Sequence, residues 1–150
     1  MKSSLIFLLL VGSSLALDRF RFAYTFKCDL KDREKWNYRV EFWEWDNLQD
    51  DQITTVEYGT APPGSASGVV FGTQDGDASP SYEPYMIVYH DCTDDGHEAY
   101  IWASLKYSRV GWHSNYKFTM DLTNKHGTFY DIGAEFKTTL EPFPDEIVAA

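Results

Sequence analysis

The residues best suited to chemistry cluster past the middle of the chain: His90, Asp91, Asp94, Asp95, His97 and Glu98, with Asp75 and Asp77 earlier. Imidazoles and carboxylates at this density could ligate a metal or move protons. Calcium needs six to eight oxygens from a shaped loop, and neither stretch has the EF-hand spacing. A closed zinc site needs four placed ligands, and two histidines across a turn do not define one. A solvated acidic turn accounts for the cluster more simply. The chain has no Gly-x-Ser-x-Gly elbow, His-Glu-x-x-His pair or Gly-rich phosphate loop. Abundant carboxylates are not a pair with separated pKa values. No catalytic residue, cofactor or metal site is therefore expected. His90 reads as a structural residue at a strand end, and His113 and His126 as loop residues.

The other candidate is a surface for binding. Arg39, Trp43 and Trp45 share one parity of an alternating stretch, with Glu41 between them. On an open face they would form an aromatic strip with charges at hand, the composition of a protein hot spot. The same rings could stack on a sugar or cover an apolar ligand. Alternatively the first strand or the tail lies over them and they form an outer core layer.

These residues need strands to position them. Phe20, Phe22, Tyr24, Phe26 and Cys28 alternate with Arg19, Arg21, Ala23, Thr25 and Lys27, the period of a half-buried strand. Trp36 to Trp45 alternates again, with Tyr38, Val40 and Phe42 on the core parity. Gln52–Tyr58 reads as a further strand, and Gly59–Gly68, rich in Gly, Pro and Ser, as a loop. Val69–Phe71 is a short strand and 73–82 a turn region. Pro84 can only open a strand or sit at an edge. The apolar run Tyr85–Tyr89 after it suits a central strand buried on both faces, running from Glu83 to Cys92. Glu98–Tyr107 sets Tyr100, Trp102 and Ser104 against Ile101, Ala103 and Leu105. Tyr116–Met120 looks extended, 123–127 a turn, and Thr128–Thr138 a last strand. About seven or eight short strands without an amphipathic helix describe an all-β, Greek-key β-sandwich.

The chain has 150 residues, which suits one domain. Lys2, the apolar run Leu5–Val11 and the small-x-small Ser14-Leu-Ala16 read as a signal peptide over 1–16, ahead of a sandwich at 17–140 and a tail at 141–150. No apolar run is long enough to span a bilayer. In the oxidising compartment that secretion implies, Cys28 and Cys92 can pair. Two buried free thiols are the alternative. The net charge is −10, or −11 once Lys2 leaves with the leader. That balance argues against nucleic acid and against direct docking on anionic lipid. Five Trp, ten Tyr and ten Phe give an aromatic share of 17%, high enough to supply both a core and a surface.

Taken together, Val40-Glu-Phe-Trp-Glu-Trp-Asp46, Glu83-Pro-Tyr85 with His90-Asp-Cys92, and Tyr130-Asp-Ile-Gly133 resemble the nematode transthyretin-like family. Cys28 falls where that family also places a cysteine, and Gly68, Phe71 and Gly72 where it has a glycine-and-aromatic turn and strand. The resemblance implies a secreted transthyretin-like (prealbumin-like) sandwich without enzymatic activity. Members of the family are proposed as bridging or signalling proteins, one of them linking phosphatidylserine on dying cells to an engulfment receptor. The same sandwich houses hydroxyisourate hydrolase, whose C-terminal Tyr-Arg-Gly-Ser is replaced here by Asp145-Glu-Ile-Val-Ala-Ala150. The family's frequent further cysteine after position 92 is missing. The expected function is an extracellular protein that binds a protein or cell-surface partner. The alternative is a carrier of a small apolar ligand such as a lipid or fatty acid.

Overall fold

A computed structural model describes residues 17–76, 78–141 and 143. The signal-peptide reading, Asp77 and most of the proposed tail lie outside the described residues. In chain order the strands are β1 (Asp18–Cys28), β2 (Trp36–Glu44), β3 (Asp51–Gln52), β4 (Glu57–Ala61), β5 (Gly64–Gln74), β6 (Ser81–Tyr82), β7 (Pro84–His90), β8 (Ala99–Ser104), β9 (Ser108–Arg109), β10 (His113–Asp121), β11 (Gly127–Phe129) and β12 (Glu135–Thr139). The described residues form no helix.

Two sheets carry the fold. The first has the order β12-β10-β1-β5, with β1 parallel to β10 and antiparallel to β5. The second has the order β11-β8-β7-β2, and the far edge of β2 pairs with β4 and then β3. β6 and β9 form a two-stranded ribbon. The sheets face each other across a shared aromatic core, the arrangement of a β-sandwich.

The alternation of β1 builds that core. Its even positions Phe20, Phe22 and Phe26 are fully buried, and Phe22 stacks on Phe42 of β2 with ring centroids 4.0 Å apart. Phe22 also stacks on Tyr116 of β10 at 5.2 Å. Each such ring contributes about 1.5–3 kcal/mol through the apolar surface it withdraws from water. The inter-sheet space is therefore filled with side chains.

Cys28 and Cys92 form a disulfide with a Cα separation of 5.9 Å. It ties the end of β1, in the first sheet, to the loop that leaves β7 in the second. Arg33 reinforces the same corner, donating to the Asp91 carbonyl and lying 3.8 Å from its carboxylate.

Several expectations need correction. Gly59–Gly68 is not a loop: it supplies the end of β4, the Pro62-Pro63 crossing between sheets, and the first half of β5. Gly59 and Gly68 sit opposite Tyr38 and Tyr24, whose rings fill the space a Cβ would occupy. Glycine here admits an aromatic ring across an edge strand. The strand expected at Gln52–Tyr58 is interrupted: Ile53 and Thr54 donate to the Phe42 carbonyl, and pairing resumes only at Glu57. Thr128–Thr138 is two strands, because Asp131 and Gly133 take left-handed backbone angles of 50° and 68°. β11 consequently joins the second sheet and β12 the first. β7 is central, but only its even face is fully sealed, since Ile87 and Tyr89 are half-buried.

Candidate functional site

The outward parity of the second sheet is aromatic. On β2 it carries Arg39, Glu41 and Trp43; on β7 Tyr85, Ile87 and Tyr89; on β8 Tyr100, Trp102 and Ser104. On β1 of the first sheet the aromatics turn inward and Arg19, Arg21, Ala23, Thr25 and Lys27 take the outward parity, with Phe71 of β5 beside Arg21, so the two outer faces differ in chemistry.

Arg39, Glu41 and Trp43 form a ladder along β2. The Arg39 guanidinium lies 3.6 Å from the Glu41 carboxylate and 3.8 Å over the ring of Tyr89. The Trp43 indole N–H donates to the other Glu41 oxygen at 3.0 Å. One carboxylate thus holds the cation and the indole in a fixed relation on a half-buried surface. The first strand does not cover these rings: β1 lies in the opposite sheet.

Trp45 is not part of that ladder. β2 ends at Glu44, and the Trp45 N–H donates to the Glu83 carbonyl at 3.2 Å. Its side chain, 53% exposed, lines a different place, a cavity of about 310 Å³ with Glu83, Tyr85, Trp102, Tyr107 and Tyr130. Tyr85 and Trp102 stack with centroids 5.1 Å apart, and Tyr130 meets Trp102 edge-on at 5.9 Å. The Tyr85 hydroxyl donates to Asp50 at 2.6 Å. Burial, with that carboxylate, pushes the phenol well above the ordinary tyrosine range.

A second, more polar depression lies at the other end of the face, among Arg39, Tyr58, Tyr89, His90, Asp91 and Glu98. Two of its titratable groups, Asp91 and His90, are engaged structurally. Asp91 accepts from the Asn37 backbone N–H at 2.8 Å and from the Asn37 amide at 2.7 Å. His90 is buried; its Nδ1 accepts from the Cys92 N–H at 3.2 Å, which leaves Nε2–H to donate to the Lys125 carbonyl at 2.9 Å. Desolvation holds its pKa below the ordinary 6.5. His97 and Asp95 pair at 3.2 Å on an exposed turn. Among the described residues no three His, Cys, Asp or Glu side chains gather as a metal set, and no helix is long and apolar enough to cross a membrane.

Sequence reasoning placed Arg39, Trp43 and Trp45 in one strip, whereas the structure distributes them over a ladder and a cavity. It missed Tyr85, Trp102, Tyr107 and Tyr130 as a group. The available signal was the outward parity of Tyr100, Trp102 and Ser104; the register that sets Ile87 against Trp102 was needed to bring Tyr85 beside it.

These features define an all-β, disulfide-tied sandwich with one aromatic outer face. Over residues 23–130 the chain matches the family described as Caenorhabditis elegans protein of unknown function (DUF870), and it belongs to that family. The nematode side of the resemblance agrees with this membership; the transthyretin-like name does not come with it. No match is found among curated proteins or among solved structures.

Proposed function

We propose that the chain is a secreted, non-catalytic interaction protein that binds an extracellular protein or cell-surface partner on the outer face of its second sheet. The observation that carries this reading is the ladder Arg39–Glu41–Trp43 continued by exposed aromatics at Trp45 and Tyr100. An arginine already paired and an indole already oriented lose little freedom when a partner covers them, so their burial is used for affinity. Secretion is supported by the leader-like residues 1–16 and by the Cys28–Cys92 bridge.

The transthyretin-like Greek-key reading draws support from the strand orders. Each sheet places strands distant in sequence side by side, and the first pairs β1 with β10 in parallel. A carrier of apolar ligands between the sheets is disfavoured by the packing of Phe22 on Phe42.

The test is capture of partners from extracellular fluid with the protein as bait, repeated with Trp43→Ala/Trp45→Ala. Loss of capture with an unchanged far-UV spectrum and unfolding midpoint is expected. Undiminished capture by the double variant would remove this face from the function.

A further inference from the structure

The cavity around Trp102 has a chemistry that partner binding does not require. Its walls are aromatic rings set at an angle: Tyr85 and Trp102 lie 29° apart in plane, and Tyr130 stands at 63° to Trp102. Trp45 and Tyr107, both more than half exposed, add rings at the rim. Glu83 is the one charged side chain among the described lining residues, and no Lys or Arg takes part. Two further carboxylates stand behind it. Asp50 accepts from the Tyr85 hydroxyl at 2.6 Å, and buried Glu44 accepts from the Glu83 N–H at 3.3 Å.

Aromatic faces carry negative quadrupole potential and attract cations. A phenol hydrogen-bonded to a carboxylate is more electron-rich still, so Tyr85 is strengthened in that role. The surrounding carboxylates add to the same field and exclude anions. Rings cannot replace the hydration shell of a compact primary ammonium, which is strongly hydrated. A quaternary ammonium sheds water readily and presents methyl groups to the ring faces.

We infer that this cavity is a binding site for a small quaternary amine of the choline class. The cation sits against Tyr85, Trp102 and Tyr130, with Glu83 at the mouth. Its volume of about 310 Å³ admits a trimethylammonium group with a short chain. A phosphate-bearing head group is a poor match, because none of the described lining residues is a cation that could receive the phosphate. The site goes beyond the partner surface proposed above and is tested without reference to it.

The experiment is calorimetric titration of the purified protein with choline and with its uncharged tert-butyl isostere, which has the same shape. Choline is expected to bind saturably at one site, on the order of tenfold tighter than the isostere. Tyr130→Phe should keep binding because the ring remains. Tyr130→Leu and Trp102→Leu should each weaken it by about three- to tenfold. Tyr130 is 79% exposed, so its replacement leaves the fold intact and keeps the test decisive. Absence of saturable choline binding would overturn the inference, as would equal affinity for the isostere or full binding by Tyr130→Leu. Phosphocholine binding more tightly than choline would contradict the charge argument and overturn it too.

Discussion

The ring of Tyr24 lies across the backbone of Gly68, its cross-strand partner, and occupies the space where any other residue would carry a Cβ. Tyr38 covers Gly59 in the same way in the opposite sheet, and the two tyrosines meet edge to face at 6.1 Å. One side of the sandwich is thereby closed by two rings laid over two edge strands. Gly68→Ala should destabilise the fold by about 1–3 kcal/mol through overpacking. In a Tyr24→Leu background the same change should cost clearly less. Urea midpoints of the four proteins give the coupling; additivity within about 0.3 kcal/mol would mean the ring and the glycine are independent.

At the start of β1 the buried carboxylate of Asp18 accepts from the Tyr82 hydroxyl and from the Gly111 N–H, both at 2.7 Å and on the same oxygen. It joins three segments distant in sequence. Asp18→Ala leaves two donors without their acceptor and should cost about 2–3 kcal/mol. Tyr82→Phe removes one donor together with its need and should cost less than half as much. Chemical denaturation of both variants checks the order, and a larger loss for Tyr82→Phe would refute this account.

Reducing Cys28–Cys92 frees a loop of about 65 residues in the unfolded chain, worth about 4 kcal/mol in the chain-entropy account. Thermal unfolding with and without reductant should show a large downward shift in the reduced protein. An unchanged midpoint would show that Arg33 and the core hold that corner without the bond.

His90 makes stability depend on pH. Desolvation keeps the folded imidazole from protonating at the ordinary 6.5, while the unfolded chain takes up its proton there. Stability should be unaffected by this group above 6.5. It should decline as pH falls below that value, by at most about 1.4 kcal/mol per pH unit, and level off once the folded form also protonates. Protonation at Nδ1 would set a donor against the Cys92 N–H. Denaturant midpoints between pH 7 and pH 5 for the protein and for His90→Gln measure the effect; parallel profiles would assign the slope to other groups.

The sheet interior was legible in the sequence wherever one face is sealed. β1 and β2 alternate because their even positions meet the opposite sheet, and Pro84 marks the start of β7 because it has no N–H to give. The edge strands were not legible. Their glycines are complements to rings on strands distant in sequence, Tyr38 for Gly59 and Tyr24 for Gly68, and composition alone makes such residues look like a loop. Likewise, the division of 128–138 depends on Asp131 adopting a left-handed angle, which no period reveals. The Arg39–Glu41–Trp43 ladder follows from parity on a single strand. The aromatic cavity draws on β7, β8 and the segments after β2, β8 and β11, so it exists only once the registers are fixed.

β1 is the first described strand to be synthesised, yet it lies inside its sheet. β5 reaches it early; the other neighbour, β10, brings Ser114 against Phe20 only after every strand from β2 to β9 has been made. Until then β1 presents an unpaired backbone edge of the kind that recruits foreign strands. Cys92 is made before β10, so the link to Cys28 becomes available while that edge is still open. In the order of synthesis, the covalent bond is a clamp on an unfinished sheet.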